Sequence, residues 1–367
     1  MKKLILGLIC LLLFTSFYIT VTIDNKDKLY LLNWGEYVDE ELIKQFEEEN
    51  NVSVVLEEVG SSEAMYAKVS SGTTRYDIAI PGDYVMEKMY KNDLLHEIDH
   101  TKLTNYYDGM FNEDLIKVMN QDEFYKDSLD YAIPYFWGAY SILYSTNNTD
   151  LKEQVETNGF DIFFDRNLTD NVKIGMYDVP RWAISAYLLS EDIDVNTTDL
   201  SSYENYLINA MSSVQYDLWG NDILKKQIAN GNLDVAFVQL GDFFDQHYVT
   251  TTDNQEVKFN AYVPQNTAAF FDAMVIPKTS DNIDLAHKFI DFFLDKENSL
   301  QNALYVGYCP TLSSVIEDIK QDEEMKDFVV QYPFYLEPLK NKNAVLFRDL
   351  GTAYESEAIR LINKAKN

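Results

Sequence analysis

The sequence predicts an α/β protein made of two lobes that close on each other about a hinge. Strand-like apolar segments alternate with amphipathic helical segments along the chain, and 367 residues are enough for two lobes. No low-complexity linker separates the halves. Because a linker would mark independent domains, its absence indicates a chain that crosses between the lobes more than once.

The first part of the chain predicts a strand–helix–strand–helix–strand unit and a further helix. Asp39 and Ser61 or Ser62 can accept hydrogen bonds from the free amides of helix N-termini, and Gly72 can end a helix. We therefore expect parallel strands joined by helices, in a mainly parallel sheet whose two faces are covered by those helices. The predicted elements are, in order, strand 28–33, helix 39–50, strand 52–59, helix 61–69, strand 76–80 and helix 84–91.

The second part continues the same alternation of strands and helices. Its apolar segments are short, and several end in aromatic or acidic residues. We therefore predict a second sheet, again mainly parallel and flanked by helices. The predicted strands are 131–135, 139–144, 172–176, 233–239, 259–263 and 273–276, and the predicted helices are a segment ending at 190, 283–294 and 296–305.

The net charge of the chain indicates which kinds of binding partner it can have. Asp and Glu number 60 against 30 Lys and Arg, a formal net charge of −30. Sequence-independent binding of nucleic acid or anionic lipid needs an excess of basic residues, so the net charge argues against both as partners. The acidity favours cationic partners, although keeping the protein soluble is an alternative reason for it.

The N-terminal residues 1–25 have the pattern of an export signal. Lys2 and Lys3 precede an apolar stretch over residues 4–23, which is long enough to span a bilayer. No small-residue cleavage site follows, so a cleaved signal peptide and an uncleaved membrane anchor both stay open. Ile9 stands before Cys10 where lipidation would require a small residue, which argues against a lipid anchor.

Motifs of catalysis are scarce, so we predict no enzyme, no cofactor and no metal. Gly-rich phosphate loops, dinucleotide fingerprints and nucleophile elbows are absent from the sequence. Residues 96–100 match the zinc-protease pattern HExxH, which requires both His on one helical face and a third ligand. This segment directly follows a predicted helix end and lacks such a context, so a loop is predicted. A surface hydrolase remains the alternative of a different class.

Aromatic and acidic residues recur together at or beside predicted strand ends. In parallel sheets the loops at the carboxyl ends of the strands converge and bind ligands. A flexible organic cation needs flat apolar walls for its methylenes and a carboxylate for each ammonium. Core packing is the alternative for any single aromatic. The segments are Trp34 with Tyr37, Asp83 with Tyr84, Asp178 with Trp182, Phe270 with Asp272, and Tyr308.

The order and spacing of several segments resemble the spermidine/putrescine-binding proteins of polyamine ABC importers. Residues 29–38, with the sequence LYLLNWGEYV, are very similar to the opening strand and loop of that family. The resemblance is strong in the first half of the chain and looser after residue 148. Further similar segments are 65–68, 76–81, 87–89, 98–99, 102–105, 133–138, 272–277 and 306–308.

This resemblance implies a two-lobed periplasmic-binding-protein-like clamshell of type II. Lobe 1 would comprise residues 26–133 and 249–306, and lobe 2 residues 134–248 and 307–367. The chain would be an exported monomer, in the periplasm or on the outer face of the cell membrane. It would capture a polyamine, spermidine or putrescine, and deliver it to ABC permease and ATPase subunits. The alternative is the same fold holding another small solute, such as an amino acid, cationic peptide or sugar.

The resemblance also implies individual site residues. Asp272 falls on the principal amine-binding carboxylate of the family, and Phe270 falls on its neighbouring aromatic. Gly82 stands where the family usually has Ser. The implied aromatic walls and hydroxyl partners are Trp34, Tyr37, Tyr84 and Tyr308, and Gln239 is aligned with a family Trp.

The acids that hold the second amine in the family are not matched. Trp182 occupies the position after Arg181 where the family commonly has an acid. We therefore expect one amine site at Asp272 and a rebuilt second site, with Asp83 or Asp178 as the replacement acid. Capping of a loop is the alternative role for each of these two.

Overall fold

The computed structural model describes residues 27–168 and 171–367 as a sheet flanked by helices. The predicted export signal over residues 1–25, including Cys10, lies outside the described residues. Within the described ranges, no helix has both the length and the apolar character that a membrane crossing requires.

The strands follow the predicted order along the chain. They are β1 (Asp27–Trp34), β2 (Val52–Val59), β3 (Ile78–Ala79), β4 (Ala132–Ser145), β5 (Ile174–Tyr177), β6 (Leu218–Gly220), β7 (Val235–Gln239), β8 (Phe259–Tyr262), β9 (Asn266–Val275), β10 (Cys309–Pro310) and β11 (Asn343–Leu346).

The α-helices lie between these strands and at the end of the chain. They are α1 (Glu40–Asn50), α2 (Ser62–Ser71), α3 (Asp83–Lys91), α4 (Glu113–Asn120), α5 (Thr149–Asn158), α6 (Pro180–Ser190), α7 (Glu204–Val214), α8 (Ile223–Ala229), α9 (Gly241–Thr252), α10 (Ile283–Leu294), α11 (Lys296–Val306), α12 (Ser313–Gln321), α13 (Lys326–Gln331) and α14 (Gly351–Ala365). Short 3₁₀ helices are His100–Lys102, Tyr125–Asp130, Gly159–Phe163, Arg166–Leu168 and Pro333–Tyr335.

The early helices begin and end where the sequence predicts. The Asp39 side chain accepts a hydrogen bond from the amide of the second residue of α1, and the Ser61 side chain accepts one from the amide of the third residue of α2. Gly72 follows α2 with φ of 62°, a left-handed conformation that costs glycine little. The chain order β1–α1–β2–α2–β3–α3 is therefore confirmed.

The sheet is mixed, with the strand order β2–β1–β3–β9–β4–β7–β5–β6. Strand β1 pairs in parallel with β2 and β3, and β5 pairs in parallel with β6 and β7. Strands β4 and β9 run antiparallel to each other, and β4 is also antiparallel to β7 and β8. The predicted parallel units are present, but two long antiparallel strands join them.

Two predicted strand boundaries in this joining region are wrong. Segments 131–135 and 139–144 form the single strand β4, because the residues between them are buried rather than exposed in a turn. A bulge between Pro134 and Phe136 bends β4 without ending it. Strand β9 begins at Asn266 instead of residue 273, so Phe270 and Asp272 lie within the strand.

Strand β4 connects the two halves of the sheet. Residues 132–139 pair with β9, whereas residues 140–145 pair with β7 and β8. Trp137, near the middle of β4, is 1% exposed, and its indole N–H donates to the carbonyl of Pro310 at 3.1 Å. The core therefore continues from one half of the sheet into the other.

A buried ion-pair network holds the chain before α14 against α3. Arg348 donates from Nε and Nη2 to the two carboxylate oxygens of Glu87, at 2.9 and 2.7 Å. Its Nη1 donates to Asp122 at 2.5 Å. The Glu87 side chain is fully buried, so its charge depends on these donors.

Candidate ligand-binding cleft

A cavity of about 620 Å³ opens where the carboxyl ends of β1, β3, β5 and β7 meet. Its volume is within the range of small-molecule sites. Every predicted site residue except Asp178 lines it. The predicted residues on its wall are Trp34, Tyr37, Asp83, Tyr84, Gln239, Phe270, Asp272 and Tyr308.

Asp272 is an acid in the wall of the cavity that accepts a single hydrogen bond within the described residues. It lies on β9 opposite Phe136, beside the bulge of β4, and forms an isolated bridge with Gly82. Tyr37 Oη donates to Asp272 Oδ2 at 2.7 Å. Burial raises the pKa of Asp272 to about 7, although the bond from Tyr37 opposes the rise. A cation that enters the cavity would therefore stabilise the ionised form of Asp272.

Gly82 leaves Asp272 Oδ1 uncovered. A Cβ at this position would lie 3.2 Å from that oxygen. The resembled family usually has a serine at this position. Glycine in its place lacks the hydroxyl and leaves space beside the carboxylate of Asp272. Tyr37 remains the hydroxyl donor to Asp272 on this side.

Three rings form an aromatic wall around Asp272. Tyr37 and Tyr308 meet edge to face with 5.2 Å between ring centroids, and Phe270 lies 6.1 Å from Tyr308. Glycines make room for these rings. A Cβ at Gly138 would lie 3.0 Å from the Phe270 ring, and one at Gly241 would penetrate the Tyr308 ring at 2.2 Å.

Trp34 and Tyr84 complete the aromatic lining. The indole N–H of Trp34, at the end of β1, donates to the carbonyl of Ile80 at 2.9 Å. Tyr84 is in the first turn of α3, and its hydroxyl points to Glu63 at 3.4 Å. Both polar atoms are partnered, so each ring presents an apolar surface to the cavity.

Asp83 lines the cavity as the first residue of α3, and its carboxylate accepts two hydrogen bonds from backbone amides. Its Oδ1 accepts from the amide of Tyr84 at 2.7 Å, and its Oδ2 accepts from the amide of Phe347 at 3.3 Å. Burial raises the pKa of Asp83, and the nearby Asp272 raises it further. Both the ligand role and the capping alternative therefore have a structural basis, and the ligand role stays a prediction.

Asp178 does not line the cavity. It follows β5 as predicted, but its exposed side chain forms an ion pair with Lys366 beyond α14. Its neighbours Tyr177 and Trp182 face the cavity instead. Of the two predicted replacement acids, only Asp83 is placed where a ligand could reach it.

The sequence interpretation missed an acid at the opposite wall. Asp242 is buried at the start of α9, where its Oδ2 accepts from Tyr177 Oη at 2.9 Å and from the amide of Gln239 at 3.2 Å. Its Oδ1 accepts from Lys225 Nζ at 3.3 Å. The signal was present, because Asp242 lies three residues after the predicted strand 233–239, at the carboxyl end of a strand where ligands bind.

Gln239 and Tyr308 connect the two walls. Tyr308 Oη lies 3.5 Å from Gln239 Oε1. Burial raises the pKa of Tyr308, with Asp242 and Asp272 both adding to the rise. The Tyr308 hydroxyl is therefore close enough to Asp242 and Asp272, on opposite sides of the cavity, for both negative charges to act on it.

The HExxH segment over residues 96–100 is extended and ends in a short 3₁₀ turn. His100 Nε2 pairs with the carbonyl of Leu129 at 3.0 Å. In the part of the chain that the structure describes, no three His, Cys, Asp or Glu side chains converge as metal ligands. The helical geometry that a zinc protease needs is therefore missing here.

Comparison with known proteins gives a consistent result. Residues 32–299 match the model of the family described as bacterial extracellular solute-binding protein. The chain is 26% identical over 343 residues to a putrescine/cadaverine-binding protein of Pseudomonas aeruginosa, covering 91% of this chain and 94% of that protein. The spermidine/putrescine-binding periplasmic protein of Escherichia coli K12 is 26% identical, with coverage of 90% and 89%.

Solved structures agree with this relationship. A putative spermidine/putrescine ABC transporter from Listeria monocytogenes superimposes with a TM-score of 0.74 at 29% identity. The superposition covers 93% of this chain and 99% of that one. The predicted two-lobed, type II fold is therefore confirmed.

Proposed function

The chain belongs to the bacterial extracellular solute-binding protein family, and from this premise we propose that it captures a polyamine for an ABC importer. It is a solute-binding protein and not an enzyme. The solute is spermidine, putrescine or both, held between the lobes and delivered to a membrane permease. Relatives named for putrescine, cadaverine and spermidine, matched over about nine-tenths of the chain, support this choice.

The main support for this proposal is Asp272 together with the aromatic rings around it. A primary ammonium needs a carboxylate with a free oxygen. Asp272 lines the cavity, Tyr37 donates to its Oδ2, and no donor among the described residues contacts its Oδ1. Aromatic faces attract an ammonium by about 0.5–2 kcal/mol each and give the attached methylenes an apolar surface. Tyr37, Phe270 and Tyr308 supply these faces, so one site satisfies both parts of an alkylamine.

The proposed lobes are residues 26–133 with 249–306 and residues 134–248 with 307–367. Strand pairing supports a crossing between them, because β4 pairs in its first part with β9 of lobe 1 and in its second part with β7 of lobe 2. Gly307, between α11 and β10, has φ of 79° and allows a sharp change of direction. Closure would bring the two walls of the cleft together around the ligand.

The proposed partners are the permease and ATPase subunits of an ABC importer, with the protein acting as a monomer. Residues 4–23 would either direct export and be removed or stay as the anchor that keeps the protein at the cell surface. Mass spectrometry of the N-terminus of protein taken from its native cells separates these two cases.

Thermal unfolding of the full-length chain in mild detergent, followed by tryptophan fluorescence, tests the proposed function. The ligands are spermidine, putrescine, a set of amino acids and Zn²⁺, each at millimolar concentration. A ligand at 1,000 times its Kd stabilises by about 4 kcal/mol, a readily measured shift of the midpoint. The proposal predicts this shift for polyamines alone. No shift with either polyamine would contradict it, and a shift with an amino acid would support the alternative solute.

A further inference from the structure

The wall opposite Asp272 already contains an ammonium group. Lys225 of α8 projects to α9, where its Nζ lies 2.7 Å from Asp245 Oδ2 and 3.3 Å from Asp242 Oδ1. The Lys225 side chain is only 12% exposed. All three residues line the same cavity as Asp272. A protein cation therefore stands between two acids that face the ligand space.

These acids differ from Asp272 in their remaining capacity to accept hydrogen bonds. Asp242 receives three donors, from Tyr177, from the Gln239 amide and from Lys225. Asp272 receives one, from Tyr37, and within the described residues no other donor contacts it. An incoming ammonium gains a new partner at Asp272, whereas at Asp242 it must compete with a lysine.

The lysine is fixed in its charged form. Burial alone would lower the pKa of Lys225, but Asp242 and Asp245 outweigh burial and raise it. A second ligand ammonium at this wall would therefore meet a like charge at close range, in a partly desolvated cleft where such repulsion is strong.

Resting on the proposed function, we propose that Lys225 is a specificity-determining residue of the cleft. Its ammonium occupies, between Asp242 and Asp245, the place that a second ligand amine would take. The cleft then grips one terminal ammonium at Asp272 and gains little from a second charge at the other end of the ligand. The preferred ligand class is a primary alkylamine with a single strongly held ammonium, such as a short diamine bound through one end.

Calorimetric titration of the full-length chain with putrescine and with n-butylamine at pH 8 tests this inference. The variants are Lys225→Met, which removes the charge, and Lys225→Gln, which removes the charge but keeps hydrogen-bond donors for the acids. Lys173→Met is the matched control for net charge, because Lys173 lies just before β5, is exposed, does not line the cavity, and has no ion pair among those found in the described residues.

We expect wild type to bind putrescine less than tenfold more tightly than n-butylamine. Both Lys225 variants should bind putrescine at least tenfold more tightly than wild type and n-butylamine within threefold of it. The control should change neither affinity by more than threefold. A purely structural role of Lys225 would weaken both ligands together, which is why the ratio of the two is the readout.

The inference is overturned if wild type binds putrescine and the Lys225 variants bind it no more tightly. A wild-type preference for putrescine above a hundredfold would overturn it as well. In both cases the proposed function stands. If neither wild type nor any variant binds putrescine, the proposed function itself fails and the inference with it.

Discussion

Replacing Asp272 by Asn removes the charge that the proposed function depends on and changes almost nothing else. The amide oxygen can still accept from Tyr37, and the side-chain volume is conserved. A hydrogen bond to a charged group contributes about 1.5–3 kcal/mol, and loss of one partner of a buried charge pair costs about 2–5 kcal/mol. A loss near 3 kcal/mol corresponds to roughly 100-fold weaker binding of putrescine.

The pH dependence gives the same prediction a second readout. Burial holds the pKa of Asp272 at about 7 in the free protein, so the acid is increasingly protonated below that pH. An ammonium needs the carboxylate form, so wild-type affinity should fall by roughly 30-fold between pH 8 and pH 5.5. The Asp272→Asn variant has no proton to lose and should bind with nearly constant low affinity over this range.

Stability separates loss of binding from loss of folding. A carboxyl whose pKa is raised in the folded state stabilises that state at low pH, and this contribution is lost as the pH rises through about 7. The free Asp272→Asn variant should therefore unfold at pH 8 at a temperature equal to or above that of wild type. Calorimetry of both proteins with putrescine at pH 8 is the assay. Affinities within a factor of two would refute the assignment of Asp272.

Three further predictions concern the support of the cleft and of the fold. Tyr37→Phe removes the bond that lowers the pKa of the cleft aspartate, so the pH midpoint of putrescine binding should rise by up to about one unit in calorimetry; an unchanged midpoint would contradict this. Gly241→Ala drives a methyl into the Tyr308 ring and should weaken putrescine binding at least tenfold; wild-type affinity would show that the ring is free to move. Arg348→Met leaves the buried charge of Glu87 with fewer donors and should cost about 3 kcal/mol in urea unfolding at pH 7. That cost should shrink as the pH falls and Glu87 is protonated, and an equal cost at pH 4 would contradict it.

Local signals allowed most of the fold to be predicted from the sequence. The boundaries of α1 and α2 depend on caps at Asp39, Ser61 and Gly72, which act within a few residues of chain. The predicted breaks in β4 and β9 were wrong because both strands are buried along nearly their whole length. Continuous burial gives no alternation of polar and apolar residues, so the pattern carries no information about where such a strand ends.

The cleft was predictable only where a residue follows a strand or matches the family pattern. Trp34, Asp83 and Asp272 have such signals, and the structure brings them to one cavity. The side chain of Asp178 is directed by Lys366, 188 residues away, which no local pattern indicates. Lys225 was missed for the same reason, because its position between Asp242 and Asp245 depends on how α8 and α9 pack.

A crystal structure of the full-length protein with putrescine would show whether Asp272 binds the ligand, because it locates each ligand nitrogen. We expect one nitrogen within about 3 Å of Asp272 Oδ1, the methylenes against the rings of Tyr37 and Tyr308, and Lys225 still paired with Asp242. A ligand whose nitrogens all lie away from Asp272 would contradict it.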